Sequence, residues 1–346
     1  MHNQISEKNK TSRLVRTISG VVFICLLLPA VALGGWLYFL LISFFTIVAC
    51  HERLEAPGKN KFPLYRKGIV YVFRLLFAYG GLIQSWAKGN NPFKDPWFGF
   101  SMDSLYVSLI GLIVYLLILF SIAIFSSKVS VNDVTYLFTR TFLIGFGFQS
   151  IFFLRYFGRS SQFSSYYQRH PNLDQRWSSC YLMVFTAVGT WFCDVGAYFS
   201  GRLFGKHKRN PRVSPNKTWE GFIGGSIFSI GFTLARTAFF EYVPFFSSPL
   251  LPGLRQFSYS PLLKEIGVFN GQAWPILVIA SILSPIIGNI GGFLFSLIKR
   301  TVGIKDYGKI RPGHGGIIDR FDSLLTNAAV RALFVLLLSK GFRIFL

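Results

Sequence analysis

Leu105-Tyr-Val-Ser-Leu-Ile-Gly-Leu-Ile-Val-Tyr-Leu-Leu-Ile-Leu-Phe-Ser-Ile-Ala-Ile-Phe125 runs for 21 residues without a charge. About 20 apolar residues in a helix cross the hydrocarbon core of a bilayer. Lipid offers no partner to an unpaired amide or carbonyl, so such a run must close its own backbone hydrogen bonds as a helix. Comparable runs lie at Ile18–Leu33, Trp36–Ala49, Gly68–Gln84 and Val134–Leu154, and further on at Cys180–Phe204, Phe222–Phe240, Trp274–Ile298 and Leu324–Phe345. The chain therefore reads as an all-α, polytopic membrane protein with about nine transmembrane helices. The first two runs are short and meet at Gly34-Gly35, which also allows one bent unit.

Composition agrees. Of 346 residues, 51% are hydrophobic and only 14% charged, against about 25% charged in a soluble domain. The charge that remains is lopsided, 36 Lys plus Arg against 14 Asp plus Glu, a net +22. A nucleic-acid binder would gather its basic residues on a folded soluble face. Here they sit in short loops between apolar runs, so no nucleic-acid partner is expected. The positive-inside bias and anionic head groups account for most of them. Cys25, Cys50, Cys180 and Cys193 lack metal or disulfide spacing and read as small apolar residues. Ala30-Val31-Ala32 mimics a signal-peptidase site, but the apolar run resumes at Trp36, which favours an uncleaved first span.

With a basic N-terminus inside, nine crossings put Arg53–Lys67, Lys206–Lys217 and Lys299–Arg311 on the cytoplasmic side. The loop Arg155–Ser179, with Arg155, Arg159, Arg169 and Arg176, falls on the wrong side, unless it folds back into the protein. No repeat or soluble domain is visible. The chain divides into an N-terminal transmembrane region, 1–179, and a C-terminal transmembrane region, 180–346, that carries the polar motifs.

Most acids lie in the tail or loops. Glu52, Asp194, Glu220, Asp306, Asp319 and Asp322 lie against apolar segments, where an ionisable group is costly and a functional candidate. The densest polar block runs from Ser296 through Lys299-Arg300, Lys305-Asp306 and Lys309 to Arg311-Pro312-Gly313-His314-Gly315-Gly316-Ile317-Ile318-Asp319-Arg320-Phe321-Asp322. Gly313, Gly315 and Gly316 would let backbone amides approach a phosphate. Asp319 and Asp322, three apart, would share one helix face. Their mutual repulsion favours a divalent cation with hard oxygen ligands, magnesium; the structural alternative is neutralisation by Arg320 and nearby lysines. A second block joins Asp194, Ala197-Tyr198, Gly201-Arg202 and Gly205 to Ser214-Pro215-Asn216-Lys217-Thr218-Trp219-Glu220-Gly221. Ser214 before Pro215 predicts a helix start whose positive end, with Lys217, attracts phosphate.

Ser296 to Asp322 resembles the signature of the phosphatidate cytidylyltransferases, S-x-x-K-R, then K-D, then P-G-H-G-G-x-x-D-R-x-D, at every fixed position. Ser214 to Gly221 is similar to the family's S-P-K-K-T-W-E-G, with Asn216 where lysine is usual. Asp194 to Gly205 resembles its D-x-x-A-Y-x-x-G-R-x-x-G stretch. The resemblance covers Asp194 onward; the first 180 residues match in hydrophobic character only. It implies attack by the phosphate of phosphatidate on the α-phosphorus of CTP, giving CDP-diacylglycerol and pyrophosphate in a bilayer. It carries Lys299, Arg300, Lys305, Asp306, His314, Asp319 and Asp322 over as catalytic candidates. Ser214, Lys217, Thr218, Lys309, Arg311, Gly313, Gly315 and Gly316 become substrate-binding candidates. Mg2+ is expected on Asp319 and Asp322, with Asp194 as a further ligand. Many bacterial members read G-D-L-x-E-S before the signature; here Gly291-Gly292-Phe293-Leu294-Phe295-Ser296 lacks both acids. That leaves the ligand set open. A bacterial inner membrane with a cytoplasm-facing site is the expected setting, and a homodimer is left open. The rival readings are a CTP-dependent polyprenol or phytol kinase, and a non-catalytic transporter or lipid-binding protein.

Overall fold

The structure, a computed structural model, describes residues 18, 20–58, 67–76, 79, 103–126, 129–156, 180–242, 273–308 and 315–339. In chain order its helices are α1 (Gly20–Leu33), α2 (Gly35–Glu55), α3 (67–76), α4 (Asp103–Phe125) and α5 (Val131–Tyr156). After α6 (Cys180–Phe204) come two short strands, β1 (Lys208–Asn210) and β2 (Ser214–Thr218), and then α7 (Trp219–Tyr242), α8 (Ala273–Thr301) and α9 (Ile318–Ser339).

Five of these are long and apolar enough to cross a membrane: Gly35–Glu55, Val131–Tyr156, Leu182–Phe204, Trp219–Phe239 and Trp274–Thr301. Gly20–Leu33 and Ile110–Phe125 are shorter apolar helices. The all-α membrane architecture stands, while the count of nine crossings does not follow from the described residues. Ile110, Ile113, Leu117 and Ile124 of α4 and Ile223 and Ile227 of α7 lie exposed. Apolar faces of that extent belong against lipid.

Gly34 and Gly35 separate α1 from α2 with φ of 68° and 58°, a left-handed joint that side chains resist. Both helices then pack on α5 and α9. Phe321 of α9 is the hub, with ring centroids 5.2 Å from Phe45, 5.8 Å from Phe148 and 5.9 Å from Phe23. Burial of that ring fixes the rotation of α9 and so the direction of its neighbours Arg320 and Asp322. Leu325 closes onto Gly147 of α5, where an added Cβ would stand 2.7 Å from the leucine's own. The core thus runs across the boundary at residue 179.

Two expectations are corrected. Arg155 does not open a loop: it is the penultimate residue of α5, wholly buried, and donates from Nε and Nη2 to the carbonyls of Val31 and Ala32 at 2.7 and 3.2 Å. The last carbonyls of α1 lack helical partners, and the guanidinium supplies them. The rest of that loop lies outside the described residues. Ser214-Pro215 does not start a helix either. It lies in β2, which pairs antiparallel with β1. Helix α7 begins at Trp219, and Thr218 caps it by accepting from Gly221 N at 3.1 Å.

Helices α6, α8 and α9 meet at Asn327, whose Nδ2 donates to Thr190 Oγ1 at 2.7 Å and to Ser284 Oγ at 2.6 Å. Its Oδ1 accepts from Arg331 Nε at 3.3 Å. Asn327→Leu removes all three bonds and should lower the unfolding temperature in detergent micelles by several degrees. Thr190→Ala, which removes one, should lower it less; equal shifts would contradict the central place of Asn327.

Candidate active site

Helix α8 ends in two paired reverse bonds, Ile304 N to Lys299 O at 3.1 Å and Gly303 N to Arg300 O at 3.0 Å, with Gly303 at φ 71°. This closure turns the chain back along the helix end and leaves Lys299 pointing into the protein. Its Nζ lies 3.0 Å from Asp319 Oδ1. Asp319 Oδ2 accepts from Gly316 N at 2.9 Å and from Tyr307 N at 3.0 Å. One carboxylate thereby ties the end of α8, the following turn and the start of α9. Burial pushes the Tyr307 hydroxyl above its ordinary value, against the pull of Arg53, Arg140 and Lys299. It stays a donor, to Phe295 O at 3.3 Å.

A second carboxylate arrives from α2. Glu52 is buried, and its Oε1 and Oε2 accept from Ile317 N at 2.9 Å and Ile318 N at 3.2 Å. These amides open α9 and have no partner within it, so an anion there satisfies donors and complements the helix dipole. The glycines make room: a Cβ on Gly308 or Gly316 would stand 2.5 Å from a Glu52 oxygen. In the structure Gly316 faces Glu52 and gives its amide to Asp319. The amide of Gly316, expected to face a phosphate, is taken by a carboxylate of the protein itself.

The open cavity lies on the other side, about 580 Å3 in volume, between α6, the hairpin, the start of α7 and α8. Asp194, Tyr198 and Arg202 of α6 line it with Arg209, Ser214, Asn216 and Lys217 of the hairpin and Asn289 of α8. Its walls stand close because small residues face each other across α6 and α7. A Cβ on Gly221 would stand 3.0 Å from Ala197 O, and one on Gly225 2.6 Å from Cys193 O. Arg209 is held at 4.1 Å over the Phe222 ring and donates to Asn289 Oδ1 at 3.2 Å. Lys217 Nζ lies 4.8 Å from the centre of the Phe293 ring, beside Gly292 and Ser323. Asp194 and Asp322 are near enough to repel each other, with Lys217 attracting both. Asp322 Oδ1 also accepts from Ser323 N at 2.7 Å.

The predicted residues therefore do not gather in one place. Asp194, Asp322, Lys217 and Ser214 gather at or beside the cavity, with Thr218 shaping its edge as a cap. Lys299 and Asp319 pair with each other. Arg300 is exposed and spans Val213 O and Ile304 O, and Lys305 and Asp306 are exposed in the turn. Lys309, Arg311, Gly313 and His314 lie outside the described residues. Among those described, no three His, Cys, Asp or Glu side chains form a metal-binding group. The sequence reading marked Glu52 as an acid at an apolar boundary but gave it no place in the site. Arg202 was read as part of the second block and given no role; Arg209 and Asn289 were missed, and in sequence only a polar residue beside apolar ones signalled them.

The family model described as "Cytidylyltransferase family" matches residues 14–338. A protein of Staphylococcus saprophyticus named "Phosphatidate cytidylyltransferase" is 29% identical over 312 residues, covering 90% of this chain and 94% of its own. One of Staphylococcus aureus with the same name is 28% identical over the same share of each chain. A third so named, from Staphylococcus haemolyticus, is 39% identical over 143 residues, 41% of this chain and 44% of its own.

Gly316→Ala should destabilise the protein in micelles by about 1–3 kcal/mol, as overpacking does. Combined with Glu52→Ala it should cost less than the two single changes together, because the colliding carboxylate is gone. Strictly additive losses in thermal unfolding would show that the glycine and Glu52 do not oppose each other.

Proposed function

This chain belongs to the cytidylyltransferase family, and we propose on that basis that it makes CDP-diacylglycerol and pyrophosphate from CTP and phosphatidate. One observation carries the reading: the block from Asp194 to Gly221 lines one cavity, and its Lys217 reaches Gly292 and Ser323, next to Asp322 of the other block. There Asp194, Lys217 and Asp322 act on one another. The staphylococcal relatives carry the same activity in their names.

The chemistry asks little of protein nucleophiles. A phosphate monoester has its second pKa near 6 and is mostly a dianion at neutral pH, so its oxygen can attack the α-phosphorus directly. The new P–O bond forms as the bond to the β-phosphate breaks, and pyrophosphate leaves with the electron pair. Catalysis then rests on positioning and charge neutralisation. Lys217, Arg202 and Arg209 present cations to the triphosphate at the cavity wall. The stacked ring of Phe222 holds Arg209 in place.

The residues fit Mg2+ in part. Two neighbouring carboxylates that repel, Asp194 and Asp322, suit a hard cation that takes its remaining ligands from phosphate oxygens and water. Asp319 does not fit as well, since a cation there would displace Lys299. When bound, the cation would neutralise charge on the triphosphate. One substrate stays in lipid and the other in water, so the cavity must open near a membrane surface. We place it on the cytoplasmic side of a bacterial inner membrane, where CTP is made.

Radiolabelled CTP, phosphatidate and magnesium in detergent should send α-label into the lipid phase and release pyrophosphate. Release of CDP with γ-label in lipid would identify a kinase instead. Asp322→Asn and Asp194→Asn should each lower kcat by about a hundredfold or more while the protein still inserts. Chelation of the metal should abolish turnover. Activity within a few-fold of wild type in both variants would overturn the assignment.

A further inference from the structure

Three arginines outside the cavity are more deeply buried than any lysine of the site. Arg53 on α2, Arg74 on α3 and Arg140 on α5 are 1%, 2% and 3% exposed. Arg53 leaves Nε, Nη1 and Nη2 without a hydrogen-bond partner, Arg74 leaves Nε and Nη1, and Arg140 leaves Nη1. Among the described residues no carboxylate reaches ion-pair distance of any of them. Guanidinium stays protonated in proteins, and the three repel one another. A buried charge ordinarily has a partner.

The same protein shows how a structural arginine is treated: Arg155, equally buried, spends its N–H groups on the carbonyls of Val31 and Ala32. Arg53 is handled otherwise. Phe295 and Tyr307 cover it at 4.6 Å each, and Tyr136 covers Arg140 at 3.2 Å. Rings over a guanidinium stabilise the cation through its faces and leave the N–H edge unspent. Glu52, Asp319 and Asp322 attract Arg53 from farther off, yet Glu52 and Asp319 spend oxygens on backbone amides and Lys299. The group also lies at the right level. Arg53 stands in the last turn of α2, and Arg140 Nη2 donates to Ile298 O in the closing turns of α8 at 3.3 Å. That is the end of the bundle from which the turn with Asp319 emerges.

We propose that Arg53, Arg74 and Arg140 form the receptor for the phosphate of the lipid substrate. The proposal rests on the function given above, and adds the place where the lipid head is held. A phosphate monoester dianion brings two charges and three acceptor oxygens to forked donors that match it. Its oxygens would supply the edge-on partners that the rings cannot. The nucleotide and the lipid phosphate then occupy separate sets of cations, Lys217 with Arg202 and Arg209 for one and the three arginines for the other.

Two measurements test this in micelles of the full chain. Phosphatidate should raise the unfolding temperature of the wild type, while diacylglycerol, which lacks the phosphate, should not. In Arg140→Gln and Arg74→Gln that shift should vanish and KM for phosphatidate should rise about tenfold or more, with KM for CTP within about twofold. Where a glutamine variant fails to fold, Arg53→Lys, which keeps the charge and loses the fork, takes its place. Undiminished stabilisation of the variants by phosphatidate, or none in the wild type, would overturn the proposal. An equal shift with inorganic phosphate would overturn the assignment to lipid. Stabilisation that depends on Arg140, in a protein that forms no CDP-diacylglycerol, would keep the site and sink the activity.

Discussion

The start of α9 depends on two carboxylates that meet it from different directions. Asp319 reaches back to the turn after α8, and Glu52 comes across from the end of α2. Between them they accept from four backbone amides and Lys299. Hydrogen bonds to charged groups are worth about 1.5–3 kcal/mol each, and burial raises the cost of losing either acceptor. This double cap holds Phe321 against the aromatic core and thereby sets the direction in which Asp322 leaves the helix. Asp322, beside the cavity, is therefore placed by contacts that do not touch the cavity itself.

Hydropathy made the helices legible, because lipid imposes the same demand on every crossing segment. The run Cys180–Phe204 was read from sequence with the bounds it has in the structure, and Trp274–Ile298 lies within α8. Polar motifs were legible as blocks and less so as geometry. Asp194 was named as a further ligand beside Asp319 and Asp322, and it lies within electrostatic reach of Asp322. Asp319 was grouped with Asp322 by helical spacing and by the family signature, and in the structure it accepts from the Gly316 and Tyr307 amides and pairs with Lys299.

What stayed hidden depended on distance along the chain. No local pattern tells that Glu52 caps a helix 265 residues later. The same separation hid the reason for Gly308 and Gly316, which make room for that carboxylate as much as they bend the backbone. Ser214-Pro215 misled for a different cause. The pair fits a helix start, but the segment pairs with β1 first, and the capping falls to Thr218. The hairpin then sets Lys217 and Arg209 on one two-stranded ribbon at the cavity wall.

The bond from Arg155 to the end of α1 bears on how accessible that stretch is in the folded chain. Ala30-Val31-Ala32 has the small residues a leader peptidase seeks, but such an enzyme needs its substrate drawn out as an extended strand. Here Ala30 is fully buried within a helix, and the carbonyls of Val31 and Ala32 are held by a guanidinium 123 and more residues away. Cys180 Sγ adds a contact to Val31 O at 3.1 Å. In the folded chain the end of α1 is thus tied to both α5 and α6, and α1 serves as a wall of the bundle.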